Sequence, residues 1–266
     1  MFRWHEADGL PYLSSELLEA TGLVIHGFTT RLGGVSKGPF TSLNLGRGVG
    51  DAISCVLENR ERANRTIGVD PKLQVEAEQV HGTAVALVGR GEGGMLCPGC
   101  DGLMTSEEGV SLAIHTADCA SVLILDPDHP AVAAVHIGWR GVAAGMAGEV
   151  IRGMQASFGS KTQSLLVAIG PAIGACCYEV GPDVLEQMRH WVWIEEVLWP
   201  NERGRWQFDL KAAISRQLVD AGVPPGHIAT CTLCTACHPD LFFSYRRDGV
   251  TGRMAGIIAL RGTRWT

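Results

Sequence analysis

Short runs of Val, Ile, Leu and Ala alternate along this chain with glycine-rich polar stretches, and the period of the apolar positions indicates what each run forms. "LQVEAEQVHG" (73–82) alternates apolar and polar residues with a period of two. "VSLAIHTADC" (110–119), "SVLILD" (121–126), "AVAAVHIGW" (131–139) and "SLLVAIG" (164–170) are short β-branched and leucine-rich runs. All five predict strands of a buried sheet. "LVIHGFTT" starts as a further strand and gives way to a glycine-rich loop from Arg31 to Gly48, long enough to suggest a functional connection.

Helical patterning is confined to three places. One helix is predicted from about Asp51 to Thr66, with Asp51 as its cap and Gly68 as its stop. "GVAAGMAGEVIRGMQASFG" (141–159) is helical in composition. A third helix opens at Asp209, repeats Leu210, Ile214 and Leu218 on one face, and ends at Gly222 and Pro224. Strands and helices mix without strict alternation, which predicts an α+β fold. With no repeat, low-complexity tract or linker, one domain over 1–266 is expected.

"SVLILDPDHPAVAAVHIGW" reads as a hairpin with its loop at Pro127–Pro130 and Asp126 opposite Ala131. Opposed residue numbers then sum to 257, so Ser121 faces His136 and Cys119 faces Gly138. Cys119 and His136 become diagonal neighbours on one face, about 7–8 Å apart at the backbone. A slip of one residue would send the strand's side chains to the other face, so the pairing rests on the loop length. His81, in "EQVHG", is a third candidate donor. His81, Cys119 and His136 form a mixed nitrogen and sulfur set of three, the number a catalytic zinc keeps while leaving one position open.

The same residues allow other chemistry. Cys119 with His136 also suits a metal-free cysteine hydrolase, in which the imidazole takes the thiol proton. A non-catalytic, zinc-stabilised binding module is a third possibility. "CPGC" (Cys97, Cys100) and "CTLCTAC" (Cys231, Cys234, Cys237) together suggest a structural zinc site. Tyr245, Arg246 and Arg247 lie between two apolar segments, where an arginine fork can hold phosphate and a tyrosine can stack on a base. Arg246 is the first candidate for a phosphate anchor, with Arg31 and Arg140 as alternatives. Asn44 is a candidate for ribose or base, and Asp118 for orienting a ligand from behind or serving in catalysis.

Composition removes several classes. The chain has 46% hydrophobic and 19% charged residues, which describes a folded globular protein. A net charge of −6, with no lysine or arginine run, gives no electrostatic support for binding a nucleic-acid polymer. No apolar stretch approaches the roughly 20 residues of a membrane helix, and no export signal is evident. A cytoplasmic protein, monomeric or homodimeric, is therefore expected. The nine cysteines then read as thiols or metal ligands. The nine histidines contain no HxH pair, so copper is poorly supported. The zinc-deaminase signature HxE…PCxxC is absent.

"HGFTTRLGGVS", "SLNLG", "VGD", "QVHG", "DGLMT", "TADC", "HIGWRG", "IGPAIGACCYEVG" and "FFSYRRDG" occur in order across nearly the whole chain. Together they resemble the YfiH-type family, also named multicopper polyphenol oxidase or laccase-like. The resemblance implies layered mixed sheets flanked by helices, in a fold shared with cysteine hydrolases of deamidating-toxin type. It implies zinc on His81, Cys119 and His136. It also implies purine nucleoside phosphorylase activity on adenosine, inosine and methylthioadenosine, with phosphate as co-substrate and adenosine deamination alongside. Some family members are instead described as peptidoglycan editing factors acting on muropeptide precursors.

Overall fold

In the computed structural model, which describes residues 1–262, the strands Ala120–Asp126 and Ala131–Ile137 pair antiparallel in the expected register. Asp126 faces Ala131 and Ser121 faces His136. Residues 263–266 of the expected 1–266 span lie outside the described residues. Every residue of both strands is buried, because both faces of their sheet are covered.

Among the described residues the hairpin forms the centre of a six-stranded sheet. Its order is Ile228–Thr230, Leu166–Ile169, Ala120–Asp126, Ala131–Ile137, Gly102–Thr105 and Val85–Leu87. A seven-stranded sheet runs Phe2–Ala7, Leu10–Ser15, Val24–Thr29, Met254–Leu260, Ser111–Thr116, Gln74–Ala77 and Leu96–Cys97. The C-terminal strand is thus inserted between Val24–Thr29 and Ser111–Thr116. A small three-stranded sheet of Glu179–Val180, Trp206–Phe208 and Leu198–Pro200 completes the set.

The two large sheets stack face to face. Leu123, Leu125, Val132 and Ala134 of the hairpin pack against Leu112, Ile114, Ile258 and Leu260 of the seven-stranded sheet. The alternate residues, Val122, Ile124, Ala133 and Val135, pack instead on Met146, Val150, Ile151 and Met154 of the helix Met146–Phe158 and on Ile214 and Leu218 of Leu210–Asp220. On the outer face of the seven-stranded sheet, Ala113, Ala255, Ile257 and Ala259 meet Ala63 and Ile67 of the helix Ile53–Ile67. The result is four layers, helix, sheet, sheet and helix, in an α+β arrangement.

Local chemistry moves several boundaries. The helix expected from Asp51 runs from Ile53 and ends at the left-handed Gly68. Asp51 does not cap its interior amides; one oxygen accepts the neighbouring Ala52 N–H, and the other takes Ser36 Oγ at 2.6 Å and Asn44 Nδ2 at 2.9 Å. The helix expected over 141–159 is two, Trp139–Ala143 and Met146–Phe158, because Gly145 turns left-handed at φ +79°. The strand expected over 73–82 spans only Gln74–Ala77. Beyond it, the Gln79 amide replaces a ladder by bonding both the N–H and the carbonyl of His115 at 2.8 and 2.7 Å. Asp209 caps its helix as expected, accepting the Ala212 N–H.

His26, on Val24–Thr29, is buried and accepts the Ser15 N–H on Nε2 at 2.9 Å. Burial outweighs the pull of Glu19 and pushes its pKa down to about 4. The folded state keeps this imidazole neutral while the unfolded chain protonates it below about pH 6.5. Its contribution is present above that pH and is lost as the pH falls towards 4. The loss of stability between pH 7 and 4.5 is expected to be roughly 2–3 kcal/mol smaller in His26→Gln than in the parent, by urea unfolding. Equal losses in the two proteins would refute this.

Candidate metal and substrate site

The two hairpin strands carry His136 and Cys119 on the face that packs on the other sheet, since both follow the parity of Val132, Ala134, Leu123 and Leu125. The ladder ends at Ala120 and Ile137, and just beyond it the thiol lies over Gly138. A Cβ on Gly138 would stand 2.7 Å from the Cys119 sulfur, so only glycine leaves room for the thiol there.

The turn before Cys119 is held from three sides. Asp118 has φ +92°, a left-handed conformation costly for a non-glycine residue. Its carboxylate accepts the Thr235 hydroxyl at 2.6 Å and the Arg246 N–H at 2.7 Å, and its carbonyl accepts the Ile173 N–H at 2.9 Å. Asp118 therefore fixes the backbone on which the Cys119 side chain stands.

His81 arrives on the loop after Gln74–Ala77, also with a positive φ of +61°. The residue that places it is Asp101, fully buried at the head of the strand Gly102–Thr105. Its carboxylate accepts the N–H groups of Val80, His81 and Gly82 at 3.1, 2.9 and 2.7 Å. The same carboxylate meets His136 Nδ1 at 2.7 Å, while its carbonyl accepts the His136 backbone N–H. With Nδ1–H donated to Asp101, Nε2 of His136 is the nitrogen left for a ligand. The two imidazoles lie edge to face with centroids 4.8 Å apart.

One donor atom from each of His81, Cys119 and His136 lies within 4.8 Å of the others. Burial alone would raise the Cys119 thiol, but hydrogen bonds and charge from His136 and His81 bring it down to about 6. Burial alone would lower His136, but Asp101 and Cys119 raise it to about 9. Two imidazoles, a ready thiolate and a carboxylate behind one imidazole fit a borderline metal such as zinc with an open fourth position.

The donors open into a cavity of about 710 Å³, of the size that holds a small-molecule ligand. Of the residues expected to hold substrate, Arg140 and Tyr245 line it, both exposed. The other three are occupied elsewhere. Arg31 donates to the carbonyls of Thr41 and Pro239 and lies over the Phe243 ring. Asn44 is fully buried, bonding Gly46, Asp51 and the Arg253 N–H. The Arg246 guanidinium donates to the Glu179 carbonyl and lies over Tyr178.

The cavity also takes residues that sequence patterning left unmarked. Arg47 and Arg253 stand in its wall, as do Arg60, Glu76 and His115. Arg60 and Glu76 form a largely buried pair at 2.5 Å. Burial outweighs Glu76 and pushes His115 down to about 4, leaving it a neutral imidazole. Among the described residues neither Arg47 nor Arg140 enters an ion pair; Arg140 lies over the Trp139 ring, which leaves its N–H edge for an anion. For Asp101, the signal in the sequence was the "DGLMT" stretch, but nothing in it connects the acid to His81 or His136.

The cysteine grouping differs from that expected. Cys97 and Cys100 stay together, with the Cys100 thiol on the Cys97 carbonyl, and Cys231 is buried beside Lys211. Cys234 and Cys237 gather instead with Cys176 and Cys177 of "GACCYEV".

The fold and the three convergent donors define an α+β protein with a candidate metal site that opens into a cavity. Residues 25–261 match the family described as multi-copper polyphenol oxidoreductase laccase, and the chain belongs to that family. It is 42% identical to the purine nucleoside phosphorylase YlmD of Geobacillus stearothermophilus, covering 91% of this chain and 92% of that one. The Bacillus subtilis protein of the same name is 35% identical over 90% and 89% of the two chains. The crystal structure of Bacillus licheniformis YfiH superposes with a TM-score of 0.90 at 34% identity, covering 97% and 99%.

Among the described residues, the copper in the family description finds no multinuclear site. Among the described residues, the other set of clustered metal donors contains cysteines alone. Among the described residues the donor sets bring together two histidines, His81 and His136, fewer than a multicopper centre needs. Among the same residues no helix is long and apolar enough to cross a membrane.

Proposed function

We propose that this chain is a zinc-dependent purine nucleoside phosphorylase, cleaving adenosine, inosine and methylthioadenosine with phosphate, and deaminating adenosine as a side activity. The reading is carried by the three convergent donors at one end of an arginine-walled cavity, together with relatives that bear the phosphorylase name. His81, Cys119 and His136 would hold the zinc, which when bound supplies Lewis-acid polarisation at its open position. We assign the protein to the cytoplasm, acting as a monomer or homodimer.

In phosphorolysis a phosphate oxygen bonds to C1′ of the ribose as the bond from C1′ to the base nitrogen breaks, through an oxocarbenium-like state. Arg47 and Arg140 are the guanidinia suited to hold the dianion beside C1′. The positive potential they contribute keeps phosphate in place while the sugar becomes cationic. Tyr245, exposed at the rim, offers a ring face to the purine. The neutral His115 can hydrogen-bond base or sugar without adding charge. Asp101 holds the His136 Nδ1 proton, keeping Nε2 directed at the site.

The low Cys119 and high His136 pKa values also favour a second reading, a cysteine hydrolase or amidase acting on peptidoglycan precursors. One experiment separates them. Zinc-replete protein is incubated with adenosine, with and without phosphate, and adenine, inosine and hypoxanthine are resolved. Phosphate-dependent adenine release is expected, with an Arg140→Ala phosphate KM raised about tenfold or more, as loss of one charged hydrogen-bond partner implies. No purine product from the zinc-loaded protein, or full turnover after zinc removal, would sink the phosphorylase reading.

A further inference from the structure

The two segments that bond Asp118, distant from each other in sequence, bring four thiols together. Cys176 and Cys177 come from the turn after Leu166–Ile169, and Cys234 and Cys237 from the loop after Ile228–Thr230. Their sulfurs lie within 4.8 Å of one another, with Cys237 at 3.4 Å from Cys176 and 3.3 Å from Cys177. Four sulfurs around a tetrahedral zinc at about 2.3 Å would stand about 3.8 Å apart, a spacing that falls between the shortest and the longest separations of the set.

We propose that Cys176, Cys177, Cys234 and Cys237 form a second, structural zinc site, separate from the His81, Cys119 and His136 centre.

The backbone is arranged as a metal-thiolate loop requires. Cys234 and Cys237 are spaced C-x2-C. The buried Cys234 sulfur accepts the Gly174 N–H at 3.2 Å, and the backbone amides of Cys237 and Ala236 in its own loop also favour its thiolate. An amide N–H directed at a buried sulfur stabilises a thiolate more than a neutral thiol. Ala172 bridges Cys234 along the backbone, which sets the two segments side by side. A Cβ on Gly174 would stand 3.2 Å from both Cys176 Sγ and Cys234 Cβ, so the close approach uses a glycine.

Charge is provided for as well. Zinc with four thiolates leaves about two net negative charges. The buried Lys211 amine donates to the carbonyls of Cys231 and Leu233 at 2.7 and 3.0 Å. Arg247 Nη1 donates to the carbonyls of Thr235 and Ala236 at 3.0 and 3.2 Å. Lys211 therefore brings a cation to the loop, while Arg247, ion-paired with Asp248, mainly fixes the loop carbonyls. On binding, each thiol that still carries its proton releases it to solvent as its sulfur bonds to zinc, with no change of oxidation state.

The same two segments hold Asp118, through the Ile173 N–H and the Thr235 hydroxyl. Zinc here would tie together the parts that fix the turn before Cys119.

The test is metal content after purification under reducing conditions with zinc present. The parent is expected to hold about two zinc per chain. Cys176→Ser/Cys237→Ser changes two exposed thiols, costs little packing, and is expected to hold about one. The complementary variant, His81→Ala/Cys119→Ala/His136→Ala, is expected to keep about one zinc with an all-sulfur shell at about 2.3 Å by X-ray absorption. No zinc in the variant lacking His81, Cys119 and His136, no loss in the cysteine pair variant, or a disulfide among the four by mass would overturn the proposal. Because the histidine-lacking variant is judged by metal alone, failure of the phosphorylase reading leaves this result intact.

Discussion

Cys119→Ala is expected to release the metal of the His81, Cys119 and His136 set and to lower phosphorolysis to the level of metal-free protein. Losing a direct ligand should exceed the 10–100-fold cost of losing a partner behind one. The thiol supplies the anionic donor of the three, held near a pKa of about 6 by His136 and His81 despite its burial. The cavity left is small and next to Gly138, so stability should change by only about 1–2 kcal/mol. Metal analysis and turnover on one preparation check the pair of effects. A variant that holds as much zinc per chain as the parent, or that works at the parent rate, would remove Cys119 from the centre.

Asp101→Ala is expected to give the largest combined loss outside the ligands. The carboxylate is fully buried and accepts three backbone N–H groups as well as His136 Nδ1–H. Each buried donor left without a partner costs about 1–3 kcal/mol, so destabilisation of several kcal/mol is expected. Metal affinity should fall 10–100-fold, the usual effect of removing a partner behind a ligating histidine. Asp101→Asn separates these roles. It keeps acceptor capacity for the loop amides but brings N–H donors and no charge, so it should recover much of the stability while metal affinity stays low. Equal affinity in Asn and parent proteins would show that the Asp101 charge does not act on the metal site.

The hairpin was legible because its two strands are adjacent in the chain and its loop is short. Local turn chemistry set the register, and the register set the parity that joins Cys119 to His136. His81 was singled out as a donor at the end of an expected strand, and again by the resemblance, but no pairing placed it, because it sits on an irregular loop whose course depends on Asp101 and Gln79. Arg31, Asn44 and Arg246 attracted attention as polar residues in glycine-rich or apolar surroundings. Each instead satisfies backbone carbonyls or loop amides that the surrounding layers leave unpaired. Arg47 and Arg253 carried no periodic or motif signal, and only the folded cavity gathers them.

The cysteines show the same limit. Spacing within "CTLCTAC" is local and readable, but its partner "CC" lies some 60 residues earlier. It meets the later pair because Leu166–Ile169 and Ile228–Thr230 run parallel as neighbours. The "CPGC" pair belongs to the other sheet's edge and never comes near.

By itself the sequence determined what short-range forces control: the strands, the caps at Asp209 and Gly68, the hairpin register, and through it the pairing of Cys119 with His136. The tertiary structure decided what depends on sheet order and layer stacking. It set the C-terminal strand between two earlier ones, brought Asp101 behind His81 and His136, placed the arginines of the cavity, and gathered the four thiols into one cluster. Strand order is fixed by burial of both sheet faces at once, a cooperative property of the packed layers that no local stretch of residues carries.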